Sequence, residues 1–452
     1  MDSSDEKDRT PSQHGIDRRT FLTTAGAAAV AAGGIEGILA ARRAPAFAQG
    51  TKLHWVRWVD FIPESDVELK RQMPEASKAL GAEVVFETIN ANDLQARITA
   101  AIQSGSGADI FNFQYNWAQL YANACVDVSD VAGAIGKAEG GFYEIFPPSC
   151  QVNGKWLAVP HSIVGNAVAY RKSWLKEAGA SEFPKTWEEA RKLFPALKKK
   201  DRPYGQTLGH TFGDAPTFTY PMLWSYGAAE TDHTGKKVVI NAKGAGESVK
   251  FMQAFWKESC DEGGLAWDDT NNNRAFHAGE ISATLNGASI YIVAKRQKDK
   301  IKDEKGEPMF QDIGHAPLPA GPSGAFLLFL NQSHAVMKYG KNQKLAKDFL
   351  RWLHKEENYG KWFKTQEGYS VGATKEWEKN PMWATLDEPL KMFRTAARTT
   401  RLFGYAGPST AKSTEAFTKY IITDMYAKGV QGMKAEDAVK WAEGELKKIY
   451  EV

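Results

Sequence analysis

An α/β fold, with mostly parallel strands flanked by helices on both faces, is the class this sequence predicts. Short β-rich apolar runs alternate with amphipathic stretches, at a pitch that suits strand–helix–strand units. Glycines follow several of the amphipathic stretches, where helices stop. Roughly 400 residues remain beyond an N-terminal leader, enough for two lobes.

The first run, 52–59, alternates and is rich in Trp and Val, so it reads as a strand ending at the loop 60–63. Residues 64–80 have helical spacing (Val67, Met73, Ala76, Leu80), with Gly81 as the stop. A buried strand is expected at 82–88. Asn92 and Asp93 should cap a helix that reaches Ile102, and 109–113 is a third strand. The pattern resumes with extended runs at 155–160 and 164–170 and a helix at 171–179. A helix begins with Thr186, Glu188 and Glu189 and runs to about Lys199. Strands are predicted at 238–240, 283–285, 313–318 and 325–336, and helices at 246–258 and 274–279. From Lys344 the chain reads as helical, near 344–355, 357–365, 387–397, 410–426 and 435–450. No internal repeat, heptad run or low-complexity stretch appears.

Residues 1–48 are set apart from the fold. Arg18 and Arg19 precede Thr20, Phe21 and Leu22 and a mild Ala/Gly core, the pattern of a twin-arginine signal. The core is broken by Gly26, Gly33, Gly34 and Glu36, too short and too weakly apolar for a membrane span. Ala46 and Ala48 predict cleavage before Gln49, and no cysteine follows the core for lipid attachment. These features predict export to the periplasm by the twin-arginine machinery.

A net charge of +3 argues against attraction to nucleic acid or anionic membrane. Three cysteines are too few for a disulfide framework, although an oxidising compartment permits one pair, with Cys125–Cys150 preferred. GxSxG, HExxH, CxxC and a complete phosphate-binding loop are all missing, so no catalytic residue, metal or cofactor is expected. His161 and Ser162, adjacent in an extended segment, point to opposite faces and make a poor dyad. Asp269, Asn271, Asn273 and Glu280 follow the oxygen-ligand pattern of a calcium loop. Arg274 stands where that loop needs glycine, which favours a loop capping the next helix.

The remaining signal lies at strand ends. Asp60 and Phe61, Tyr115, Asn116 and Trp117, His161 and Ser162, and Asn286 combine rings with amides or carboxylates. Open parallel sheets bind ligands beyond the carboxyl ends of their strands. A sugar offers a C–H face to an aromatic plane and a hydroxyl edge to planar polar groups, and an unpaired buried hydroxyl costs about 1–3 kcal/mol. Trp187, Trp256 and Trp441 are assigned to packing.

Several motifs taken in order resemble the extracellular solute-binding proteins of sugar-type ABC importers, similar to maltose-binding protein. They are Gly154–Pro160 followed by Tyr170, Phe183–Glu189, Leu223–Gly227, Ala275–Gly279, Leu285–Gly287, Pro317–Gly321 and Lys341–Phe349. The resemblance implies a two-lobed, type II periplasmic binding fold. Residues 49–160 plus 325–373 would form one lobe and 164–320 plus 374–452 the other. Hinges would lie near 160–164, 319–324 and 368–375. It also implies ligand contacts at Asp60, Phe61, Tyr115, Asn116 and Trp117 from the first lobe, and at His161, Ser162 and Asn166 from the crossover. The second lobe would add Trp224, Tyr226, Asn286 and Tyr291, with Phe326 from the returning strand. The role implied is that of a monomeric, non-enzymatic receptor that delivers a carbohydrate to a membrane permease. One alternative keeps the role for an anionic glycerol phosphodiester or sulfonated sugar, clamped by arginines among Arg57, Arg97, Arg171, Arg274 and Arg296. Another is a cofactor enzyme exported folded.

Overall fold

The computed structural model describes residues 50–398 and 400–451. The arginine pair, the leader core and the cleavage site lie outside the described residues. Strand β1 (Lys52–Trp58) is buried from Trp55 to Trp58, as a central strand covered on both faces must be. β2 (Glu83–Ile89) and β3 (Ile110–Gln114) run parallel to it, each preceded by a helix, Pro63–Leu80 and Ala91–Ser104. Gly81 and Gly105 end these helices with φ of 64° and 65°, a region open to glycine at little cost. The second helix is capped by Asn90, two residues before the expected Asn92.

The chain then supplies β4 (Val159–Val164), β5 (Ala167–Arg171), β6 (Ala283–Asn286), β7 (Ile313–Ala316), β8 (Leu330–Val336) and β9 (Ser370–Gly372). They sort into a six-stranded sheet of order β9-β4-β8-β3-β1-β2 and a three-stranded sheet of order β6-β5-β7. The expected mostly parallel direction needs correcting in both lobes. β8 is antiparallel to β3 and β4, β9 is antiparallel to β4, and β5 is antiparallel to β6 and β7. Parallel neighbours require a helical crossover on the same sheet. β4 instead leaves the large sheet at Val164, and the chain enters the small one at Ala167. β8 returns from the small-sheet side, so it enters from the opposite end.

Residues 238–240 form no strand, and Val238 makes only a single bridge to Thr231. The expected helix 410–426 is two, Ala411–Thr418 and Ile421–Val430, broken at Tyr420 with φ 56°. Helix Asp214–Ser225 was invisible to periodicity because almost every residue in it is buried, leaving no polar face to alternate with. The Thr186–Glu189 capping box is present, and Trp187 packs on Phe218 and Phe255. Cys125, Cys150 and Cys260 are all free and buried, which corrects the preferred Cys125–Cys150 pair. Burial pushes their thiols up, Cys125 to about 12 and Cys150 to about 11. Among the described residues no helix is long and apolar enough to cross a membrane.

Glu230 is buried, and its Oε1 accepts the Gly404 amide at 3.0 Å. Burial raises its carboxyl to about 7. The folded chain therefore keeps a proton that the unfolded chain has already released, and stability falls as pH rises from about 4.5 to about 7. Glu230→Gln removes that loss. At about 1.4 kcal/mol per unit, the variant should gain about 2–3 kcal/mol over the wild type at pH 8 relative to pH 4.5. Denaturant titrations at the two pH values measure the difference, and parallel profiles would refute it.

Candidate functional site

The lobes meet at a cleft lined from the large-sheet side by Trp58, Phe61, Val164, Leu330 and Tyr369. From the other side come Phe212, Gly213, Asp214, Asp269, Asn286 and Gly287, with Asn166 at the crossing. The enclosed space is about 20 Å³, room for roughly one water. A second chamber of about 210 Å³ adjoins it through Phe61 and Asp269, and includes Asp60, Asn90 and Asn92. A third, of about 420 Å³, shares Asn166 and runs past Phe326, Leu327 and Phe393. A larger concavity, about 1160 Å³, lies along the outside of helix Glu356–Gln366 and shares no residue with the cleft.

The polar groups of the cleft are held in place by neighbours. Asp269 accepts the amides of Gly213 and Asp214 at 2.9 and 2.8 Å, at the start of helix Asp214–Ser225. Asp214 Oδ2 accepts from Asn272 at 2.6 Å. Asn286 donates to Asn273 and receives the Gly287 amide at 2.6 Å. Burial, reinforced by the neighbouring Asp269 charge, pushes the Asp214 carboxyl well above the usual range. Asp269 is also raised by burial. Its neighbour Asp268 accepts the amides of Thr270 and Asn271 just before helix Asn271–His277.

Of the residues expected from sequence, Phe61, Asn166 and Asn286 line the cleft and Asp60 and Phe326 line adjoining chambers. The Asp60 carboxylate is engaged by Arg57, Ser65 and Gln366. Tyr115, at a strained φ of 50°, donates its hydroxyl to the Phe212 carbonyl at 3.0 Å. Asn116 bonds Ser409 and Thr414, and Trp117 packs edge-on to Phe212. These three join the lobes beside the cleft without lining it. The other five lie elsewhere. His161 packs among His334, His354, Tyr359 and Trp362, and Ser162 is buried in β4. Trp224 is a buried helix residue against Tyr220 and Tyr405, and Tyr226 packs on Phe251. Tyr291 donates to Asp387 at 2.9 Å. Trp58, Phe212, Asp214, Asp269 and Tyr369 were missed. Only Asp269 carried a signal, as a capping acid.

Residues 68–360, well over half the sequence, match the family of bacterial extracellular solute-binding proteins. The chain belongs to that family. The solute-binding protein is 26% identical to the diacetylchitobiose binding protein DasA of Streptomyces coelicolor, over 60% of this chain and 62% of DasA. It is 24% identical to a probable ABC transporter-binding protein of Deinococcus radiodurans, over 55% of this chain and 58% of that one. These matches span less than two thirds of either relative. The fold resembles maltose-bound T. maritima MalE3, with TM-score 0.75 and 19% identity over 88% of this chain and all of that one. It also resembles a Thermotoga lettingae ABC transporter solute binding protein bound with α-D-tagatose, with TM-score 0.76 and 15% identity over 89% of this chain and all of that one. The architecture is thus a MalE-like, two-lobed type II fold.

Proposed function

We propose that this solute-binding protein captures a neutral carbohydrate, an oligosaccharide or glycoside, in the periplasm and passes it unchanged to an ABC permease. The cleft carries the reading. Four rings (Trp58, Phe61, Phe212 and Tyr369) face amides and carboxyls, the pairing a sugar's C–H face and hydroxyl edge require. The names of DasA and of maltose-bound MalE3 support the ligand class. In the proposed lobes, 49–160 plus 325–373 and 164–320 plus 374–452, the crossing segments act as hinges. The 20 Å³ space is far smaller than a sugar ring, so entry requires the lobes to part. A monomer with a twin-arginine leader completes the reading. X-ray scattering should show compaction when the right glycan is added; tight binding with no change in radius of gyration would refute closure.

The anionic alternative has little support, since none of the five arginines lines the cleft. Arg57 pairs with Asp60 and Asp66, Arg171 with Glu304 and Asp312, and Arg296 with Glu64 and Glu367. Two carboxylates beside four rings instead favour a cationic ligand, such as an amino sugar, as the second reading. Asp214→Asn separates the two. A neutral sugar should bind it within about 3-fold of wild type, because Asn keeps the shape and hydrogen-bonding capacity of the carboxyl. A cation needing the charge should lose about 10-fold or more, the worth of about 1.4 kcal/mol. Calorimetry of neutral glycans and amino sugars at pH 7 reads both.

A further inference from the structure

Behind the large sheet, away from the cleft, three imidazoles converge. His161 comes from β4, His334 from β8, and His354 follows helix Gln343–Leu353. One ring nitrogen from each lies within 4.8 Å of the others. His161 Nδ1 is 3.5 Å from His354 Nε2, and the His161 ring meets those of His334 and His354 edge-on. The three are 1%, 0% and 7% exposed. His161 Nε2 and both nitrogens of His334 have no hydrogen-bond partner. A buried polar group left unpaired costs about 1–3 kcal/mol. Ring packing alone would be served as well by phenylalanine, without that cost.

We propose that His161, His334 and His354 form a buried site for a divalent transition metal of the zinc class. A tetrahedral ion with bonds of about 2.0–2.1 Å places its nitrogens roughly 3.4 Å apart. The His161–His354 pair already stands at 3.5 Å, and with His334 one nitrogen from each ring lies within 4.8 Å of the others. Imidazole ligands suit zinc, cobalt, nickel or copper and not calcium or magnesium. The nearby Arg57 cation is offset by Asp60 and Asp66, at 3.1 and 3.4 Å. The ion would tie together two strands that border the lobe crossings, β4 and β8, and the helix behind them. A site this closed has to fill while the chain folds. A twin-arginine leader exports folded chains, which gives the ion its occasion to enter before export.

The test is to produce the whole protein in medium containing Co²⁺, desalt it, and record metal content and the visible spectrum. One cobalt per chain with the intense bands of a tetrahedral site is expected, and zinc medium should likewise yield one zinc. His354→Gln, at the most exposed of the three positions, should lower the content at least 10-fold while the far-ultraviolet dichroism is kept. Less than a tenth of an ion per wild-type chain would overturn the proposal, as would an octahedral spectrum. Undiminished metal in His354→Gln would do so too. The wild-type spectrum stands on its own should the variant misfold.

Discussion

Gly287→Val should weaken carbohydrate binding by about 10–100-fold while leaving the unfolding midpoint nearly unchanged. Gly287 follows β6 in one lobe and faces Tyr369, next to β9, in the other. A Cβ there would stand 2.8 Å from Tyr369 Cε2 and 3.2 Å from the Gly165 carbonyl oxygen. The Gly287 backbone lies outside the left-handed region, so a side chain there adds no backbone strain. The Tyr369 part of the clash exists only when the lobes are together, and a penalty of about 1.4–2.7 kcal/mol on that form transfers directly to affinity. Calorimetry with the glycan identified by screening measures the loss, and scattering should find the bound variant more expanded than wild type. Unchanged affinity together with unchanged compaction would show that closure does not bring Gly287 onto Tyr369.

Arg57→Met should cost about 3–5 kcal/mol of stability, the largest effect expected from a single substitution here. Arg57 is fully buried and donates to Asp60, Asp66 and Gln332 at 3.1, 3.4 and 2.7 Å. Methionine fills much of the same volume but strands two buried carboxylates. Asp66 is already raised to about 6 by burial, with Arg57 holding it down from still higher. Without the arginine Asp66 keeps its proton to higher pH. The variant should then lose further stability as pH rises from about 6 to 8, a window in which the wild type changes less. Adding Asp60→Asn should recover part of the loss. Denaturant unfolding at pH 6 and 8 provides the check, and a cost below 1 kcal/mol would mean the ion cluster is not sealed from water.

Much of the secondary structure was legible because its signals are local. The run 52–59, the glycines at 81 and 105 and the Thr186–Glu189 box act within a few residues, and the structure keeps them. Phe61 and Asn286 were findable because a strand end is a local event that opens onto a cleft, while Asn166 came from the family resemblance. His161 was misplaced for a physical reason. Successive residues of a strand face opposite ways, and the burial of β4 throughout removes the alternation that would tell them apart. Trp224 failed similarly, inside a helix buried on every side.

By itself the sequence determined the class of fold, the family, most element positions and the ring-and-amide chemistry of the loop tips, because each follows from residues close together along the chain. Tertiary structure alone decided which tips face one another. Phe212 meets Trp58, and Asp269, 55 residues away from Asp214, holds its amide. It also decided that three histidines drawn from 161, 334 and 354 share one buried space. Those juxtapositions depend on how the sheets are crossed and closed, a long-range outcome that no local pattern encodes.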